Sequence, residues 1–336
     1  MKYWICVGTT LELPTDGSFI SRTAMGVPVV IQRFGDEISC FLNACAHRGS
    51  ELKKPGSQGC GPLKCPYHGW QFGRDGSPTS IPSRSDFCEA DQSRRLVPWS
   101  VELVGTLIFV AIRPSVTIEE SLGEMNYRMF ADITSQFGDV IDDYRRKIAA
   151  PWHVVVENTL EAYHVPFVHA DSIARMKIHA PKNWRSGSGS SMAAKVSAGK
   201  SASAIESLVP ELADRAFRAE GYMHAFAFPN FTIASTHGMT FALQFIEPAM
   251  PGTNDTNFRT LLYSARVDVG EPGRPLVKAI HHSAAQMNRQ TFDEDAEICE
   301  GAYRGSAWAI HGFGEAIGAN EERVMWFREE MARLLS

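Results

Sequence analysis

Several things are missing from this 336-residue sequence. No run of uncharged apolar residues approaches the roughly 20 needed for a transmembrane helix, so none is expected within it. Charge of one sign is not in large excess. Lys and Arg number 33 against 38 Asp and Glu, a net −5, so no basic field argues for nucleic acid or an anionic membrane surface. No Gly-rich dinucleotide fingerprint follows a strand, and no plant-type ferredoxin cysteine spacing occurs. The opening MKYWICVGTTLEL lacks the long apolar core and small-residue cleavage site of a signal peptide, and a cytoplasmic location is expected. Cysteine is scarce and odd in number, seven in all, so no disulfide framework is expected. Hydrophobic residues at 44% and charged residues at 21% exclude a disordered chain, a collagen-like repeat or a coiled coil.

What is present is an ordinary globular composition of two-domain length, with eleven His and seven Cys to explain. Residues 1 to about 112 read as short strands broken by turns. VPVVIQRF, ISCFLNAC, GWQFGRDGSPT and VELVGTLIFVAI alternate or run β-branched, and Asp75-Gly76 is a hairpin signal. After Arg113-Pro114 the texture changes. Ile118 to Gln136 has helical spacing, and Val154 to Val168 reads as a helix with Pro166 inside it. Ser186 to Ser203 is Ser/Gly/Ala-rich and reads as a mobile loop. From Met223 to Val269, AFAFPNFTIAS, MTFALQFIEP and FRTLLYSARVDV alternate as strands, and from Arg274 the helical pattern returns. The expectation is an all-β domain, residues 1–113, followed by an α+β domain, residues 114–336, whose antiparallel sheet is bracketed by helices.

Five cysteines, Cys6, Cys40, Cys60, Cys88 and Cys299, have no histidine at ligand spacing and read as buried small hydrophobes. The other two do not. Cys45-Ala46-His47 and Cys65-Pro66-Tyr67-His68 each pair a thiolate with an imidazole on a tight loop. Two soft sulfurs and two imidazoles suit zinc or an iron–sulfur cluster. The alternation is wrong for a common zinc finger, where Cys pairs with Cys. It lets two thiolates hold one iron and two histidines the other, the ligand set of a Rieske [2Fe–2S] centre.

CAHRG and CPYHGW resemble the two cluster loops of Rieske proteins, and Trp4 to Ile112 is similar to that domain throughout. The resemblance implies that Cys45 and Cys65 ligate one iron and His47 and His68 the other. It also implies that Arg48, Tyr67 and Trp70 pack or hydrogen-bond around the cluster.

A second constellation lies in NTLEAYHVPFVH. His164 and His169 are about 140° apart on an ideal helix, so a straight helix would not aim both at one metal. Pro166 between them disturbs the hydrogen bonding and is expected to re-aim the second ring. Two His with one carboxylate is the facial triad of non-haem Fe(II) oxygenases, but His-x-x-x-x-His alone also fits structural histidines.

WHVVVENTLEAYHVPFVH, including Asn158 and Tyr163, resembles the iron-binding helix in the oxygenase (alpha) component of the Rieske non-haem iron oxygenases. In that family the third ligand is an Asp in F-x-E-D followed five residues later by Glu. Phe292-Asp293-Glu294-Asp295 with Glu300 fits, which implies Asp295, with Asp293, Glu294 and Glu297 as rivals. ERVMWFREEMARLL is similar to the family's last helix, and a helix-grip-like catalytic domain is implied. Glu161, three before His164, holds the position of the acidic residue that links an iron histidine to a cluster histidine of a neighbouring subunit. Asn158 joins it as a candidate catalytic residue. Members that oxidise quaternary ammonium compounds often carry Glu there, whereas ring-hydroxylating dioxygenases usually carry Asp.

The implied protein is a terminal oxygenase with a Rieske [2Fe–2S] cluster, mononuclear Fe(II) and dioxygen as co-substrate. Electrons would come from NAD(P)H through a separate reductase, with or without a ferredoxin, and a homotrimer is implied. The substrate is expected to be a small aromatic or apolar compound, hydroxylated or oxidatively demethylated. Phe226, Phe228, Phe231, Ile233, Phe241 and Phe245 are candidate pocket walls, with Asn230 and Gln244 as polar fixers, although strand alternation puts about half of them in plain core. Alternatives are N-demethylation of a quaternary ammonium compound, an electron-transfer Rieske protein without oxygenase chemistry, and a structural zinc protein. His153, His179, His224, His237, His281, His282 and His311 read as structural or surface residues.

Overall fold

A computed structural model describes residues 3–197, 221–250, 252–266, 270–306 and 316–335; His311 and residues 198–203 of the Ser/Gly-rich stretch lie outside them. Two compact units divide at Ile118–Glu119. No helix among the described residues is long and apolar enough to cross a membrane.

The first unit is β-rich. Its strands are β1 (Ile5–Thr9), β2 (Ser18–Ala24), β3 (Val27–Phe34), β4 (Glu37–Leu42), β5 (Gln58–Cys60), β6 (Leu63–Lys64), β7 (Gln71–Phe72), β8 (Pro78–Ser80), β9 (Pro98–Val104) and β10 (Leu107–Ala111), with one short helix, α1 (Glu89–Gln92). Seven form a sheet in the order β1-β10-β9-β4-β3-β2-β5, and β6-β7-β8 form a small separate sheet. The VGTLIFVAI run supplies β10, buried at every position as its β-branched content requires. Val30, Phe41, Leu63, Phe72 and Leu96 make a core that also takes in Cys45, Cys65 and Trp70. The loops that carry ligand candidates are therefore anchored by apolar burial.

Two of the five cysteines assigned to core are not there. Cys6, Cys40 and Cys299 are buried, but Cys60 and Cys88 are exposed. Cys60 ends the edge strand β5, whose three residues all face solvent, and Cys88 precedes α1 on the surface.

The second unit runs α2 (Ile118–Ser135), β11 (Phe137–Ile148), α3 (Trp152–Leu160), α4 (Val165–Val168), β12 (Ile178–Ser186), β13 (Gly189–Val196), β14 (Tyr222–Ala227), β15 (Phe231–Thr236), β16 (Thr240–Pro248), β17 (Thr256–Ala265), α5 (Gly270–Ser306) and α6 (Glu322–Leu335). Seven antiparallel strands lie in the order β11-β17-β16-β15-β14-β13-β12. Three readings are corrected. The stretch from Ser186 is not a loop as far as it is described: β12 and β13 pair from Ile178↔Val196 to Ser186↔Gly189, turning at Gly187, whose φ of 54° favours glycine. AFAFPNFTIAS is two strands, turned at Pro229 and Asn230. The helix expected over Val154–Val168 ends at Leu160, where Glu161 is extended at φ −118° and ψ 161°.

The sheet's two faces have different fillings. Phe231, Ile233, Phe241, Leu243 and Phe245 share one face, where Phe231 meets Phe130 of α2 and Phe241 meets Phe137. His224, Ala234, Ala242 and Leu262 form a cross-strand row on the other, and their small members leave space there.

Candidate functional site

The first unit holds its four ligand candidates on two matching turns. The N–H of Gly49 donates to the carbonyl of Cys45 and that of Gly69 to Cys65, and each turn is closed by a second bond, Cys45 to Ser50 and Cys65 to Trp70. Gly49 and Gly69 have φ of 71° and 75°, a region glycine enters without strain. The turns bring the His47 and His68 rings to 4.7 Å between centroids. Cys45 is pushed up to about 11, mainly by burial and further by the neighbouring Cys65. His47 is lowered by burial and by the charge of His68. Its Nδ1 is buried without a hydrogen-bond partner, as a nitrogen reserved for a metal would be. Two thiols and two imidazoles with that orphaned nitrogen fit a [2Fe–2S] cluster. Trp70 is buried and stacks on His47 at 5.0 Å, while Tyr67, largely exposed, stacks on His68 at 3.7 Å. Arg48 is exposed, and its charge helps to depress His47.

In the second unit His164, His169 and Asp295 present ligand atoms that all lie within 4.8 Å of one another. His164 Nε2 and His169 Nε2 are 3.2 Å apart, and Asp295 Oδ1 lies 3.3 Å and 3.0 Å from them. The rings converge for a reason other than the proline. Once α3 has ended, His164 stands at the N-cap of the one-turn α4 and His169 at its C-cap. The pair brackets a turn instead of sharing a helix. Pro166 sits in the first turn of α4, where its missing N–H costs nothing.

Asp295 comes from α5, where Phe292, Ala296 and Cys299 are buried at i, i+4 and i+7. Asp295 falls on that inward stripe, which was the available signal separating it from its rivals. Asp293 faces Tyr144 and Arg146 instead. Glu294 reaches the far side of the site, its Oε2 2.7 Å from His169 Nδ1, and accepts the Ser172 hydroxyl.

Carboxylates thus hold both imidazoles from behind. Glu161 contacts His164 Nδ1 and accepts the backbone N–H groups of Tyr163 and His164. It does so as an extended residue just after α3, not from within the helix expected over Val154–Val168. Asn158, on α3, donates from Nδ2 to Asp295 Oδ1 at 2.7 Å. Burial opposes charge on His164, yet its bonds to Asp295 and Glu161 raise it to about 9. Asp295 is likewise opposed by burial and is lowered by its two histidines. With each Nδ1–H given to a carboxylate, each Nε2 is free for a metal. Two imidazoles and one carboxylate, with one open side toward a cavity, fit a mononuclear ferrous ion.

That cavity, about 140 Å³, has room for one small organic molecule. Of the pocket candidates it takes Gln244 and none of Phe228, Asn230, Phe231 and Phe241. Phe231 and Phe241 point through the sheet to the other core. Phe228 is on the near side but packs with Phe226 and with Phe327 of α6. Asn230 donates to Glu247. Choosing the face that carries Ala234, Ala242 and Gln244 would have found Tyr222 and His224, both of which line the cavity. His224, read from the sequence as structural or surface, lines this cavity.

A Rieske-type β module and a two-His-one-Asp site on a helix-bracketed antiparallel sheet define an iron-dependent redox protein. The family model for the Rieske [2Fe-2S] domain matches residues 3–98, and that for the ring hydroxylating alpha subunit (catalytic domain) matches residues 130–336. The chain belongs to the ring-hydroxylating alpha-subunit family of Rieske oxygenases. It is 33% identical over 185 residues to the carnitine monooxygenase oxygenase subunit of Acinetobacter pittii, covering 51% of this chain and 48% of that one. To the anthranilate 1,2-dioxygenase large subunit of Acinetobacter baylyi it is 26% identical over 196 residues, 54% of this chain and 41% of the relative. The chain thus spans about half the length of these relatives in each match. Among solved structures, a quaternary ammonium Rieske monooxygenase bound to L-carnitine superposes with a TM-score of 0.73 at 20% identity, over 99% of this chain and 88% of the other. Naphthalene 1,2-dioxygenase from Rhodococcus sp. gives 0.74 at 19%, over 99% and 89%. These superpositions establish the fold.

Proposed function

We propose that this chain is the terminal oxygenase component of a multicomponent system, hydroxylating or oxidatively demethylating a small organic substrate. The observation that carries the reading is the convergence of His164, His169 and Asp295 on the cavity wall, each imidazole backed by its own carboxylate. Ferrous iron held there supplies one-electron chemistry toward dioxygen, whose triplet ground state otherwise reacts slowly with closed-shell carbon. The residues do the rest. Glu161 and Glu294 fix the tautomer and orientation of the two rings, Asn158 holds Asp295, and the sheet with α5 encloses the substrate away from bulk water. Cys45, His47, Cys65 and His68 would carry the electrons as a Rieske cluster. We assign Glu161 the further role of joining His164 to the cluster histidine of a neighbouring subunit, in a homotrimer. A separate NAD(P)H-dependent reductase, with or without a ferredoxin, feeds the chain.

A second reading, N-demethylation of a quaternary ammonium compound, is favoured by Glu161 and by the carnitine monooxygenase relative. The cavity's aromatic carbocycles among the described residues are Tyr222 and Phe292, a thin wall for a cation.

The test is labelled-oxygen incorporation by the iron-loaded protein with NADH and a reductase, screened over small aromatic acids and quaternary ammonium compounds. Labelled product from wild type and none from His164→Ala is the expected result. Turnover retained by that variant, or zinc without iron in the purified protein, would sink the reading.

A further inference from the structure

His224 is buried, at 3% exposure, on the cavity-lining face of β14. Its Nδ1 lies 2.9 Å from Nη2 of Arg323. A guanidinium only donates, so this contact settles the tautomer. Nδ1 is the acceptor, and the proton of the neutral ring must sit on Nε2. Burial and the adjacent positive charge both push His224 well below the ordinary histidine range, in keeping with a neutral ring. Nε2 is thus a fixed N–H donor, and it is buried without a partner.

Arg323 is itself 2% exposed, in the first turn of α6. Its other bonds run from Nε to the Ser190 hydroxyl and from Nη2 to the Ser190 carbonyl, both neutral groups. Among the described residues no carboxylate pairs with it. The acidic residues of α6 are engaged elsewhere, Glu322 with Asn183, Glu329 with Arg185, and Glu330 with Arg185 and Arg333. Burial lowers Arg323 to about 10, yet it stays charged at neutral pH. A buried cation with no counter-ion costs stability. One set behind the imidazole of a cavity-lining residue, whose second nitrogen keeps an unfilled donor, favours negative charge on that side.

We infer that the substrate carries an anionic oxygen, most simply a carboxylate, which accepts the Nε2–H of His224 and is the counter-charge of Arg323. The inference rests on the reading of this cavity as the substrate site, and it adds the substrate's charge class. The carboxylate end is held at β14 and α6, while the carbon to be oxidised lies toward the iron ligands. Arg323 is a positioning residue that acts through His224.

The experiment is calorimetric titration of cluster- and iron-loaded protein with benzoate, cyclohexanecarboxylate and 4-trimethylammoniobutyrate, each beside its neutral amide counterpart. At least one acid is expected to bind about 10- to 100-fold more tightly than its amide, the range for a hydrogen bond to a charged acceptor. His224→Leu and Arg323→Met should erase that preference while changing amide affinity less than about threefold, with iron content unchanged. His224→Gln, which keeps a donor, should restore part of it. Arg323→Met is expected to melt at or above wild type, since a buried unpaired charge is being replaced by an apolar side chain. Acids bound no better than amides across the panel, or an acid preference untouched by both variants, would overturn the inference. Turnover plays no part in this readout, so failure of the oxygenase reading would appear separately, as absent label incorporation with the acid preference intact.

Discussion

Glu294 Oε2 lies 2.7 Å from Nδ1 of His169, on the opposite side of the ring from Asp295. Two neighbouring carboxylates on α5 therefore do different work on one imidazole. Asp295 faces the Nε2 edge, where a metal would sit, and Glu294 orients the ring from Nδ1. Asp295→Ala is expected to abolish iron at this site, leaving the two cluster irons. Glu294→Gln should keep the iron but weaken its binding about 10- to 100-fold. Iron per chain after dialysis against a graded chelator separates the two outcomes.

The cluster loops lie in their own unit and share its core. Cys65→Ser should remove the red-brown visible absorbance, and its bleaching by dithionite, while the single iron of the other unit remains. His47→Ala is expected to do the same, because the orphaned Nδ1 has no other employment in the fold. Absorption spectra with metal analysis check both.

Phe241 and Gln244 lie three residues apart on β16 and face opposite ways. Phe241 is fully buried against Phe137, and Phe241→Ala is expected to cost about 3–5 kcal/mol in denaturant titration. Its effect on KM should be small in whatever fraction stays folded. Gln244→Ala should cost markedly less stability, since its Oε1 has no partner to lose, and should change KM instead.

Asp143 sits between Arg259 and Arg145 on the outer face of β11. Burial alone would raise this carboxyl, but the two guanidinium groups override it and hold it well below the usual carboxylate range. A depressed folded-state value contributes stability above the unfolded value of about 3.9, and loses it as pH falls below that point. Discounted for its partial exposure, the contribution is about 1–2 kcal/mol. Asp143→Asn should be weaker than wild type by that amount at pH 7, and the gap should begin to narrow on acidification below about pH 4. Urea titrations at pH 7, 5 and 3.5 measure it.

Much of this was readable in one dimension, for reasons that differ by residue. Cys45, His47, Cys65 and His68 are close in sequence and on glycine turns, so spacing alone carries their geometry. His164 and His169 were legible as residues but not as a geometry, because the break after Leu160 depends on where Glu161 finds hydrogen bonds. Phe231 and Phe241 were read as pocket walls because alternation gives two faces without saying which one the helices leave open. Arg323 carries no distinguishing signal in ERVMWFREE, since its burial comes from strands more than ninety residues away.

The sequence by itself determined the chemistry on offer: a thiolate–imidazole cluster set, two histidines with a choice of carboxylates, and two domains of different texture. Local spacing is enough for that, because ligand type and short loops are local properties. Only the tertiary structure decided that Glu294 backs His169, which face of the sheet is hollow, and that His224 and Arg323 meet behind it. Those are long-range packing outcomes, set by which apolar stripes bury against which sheet face.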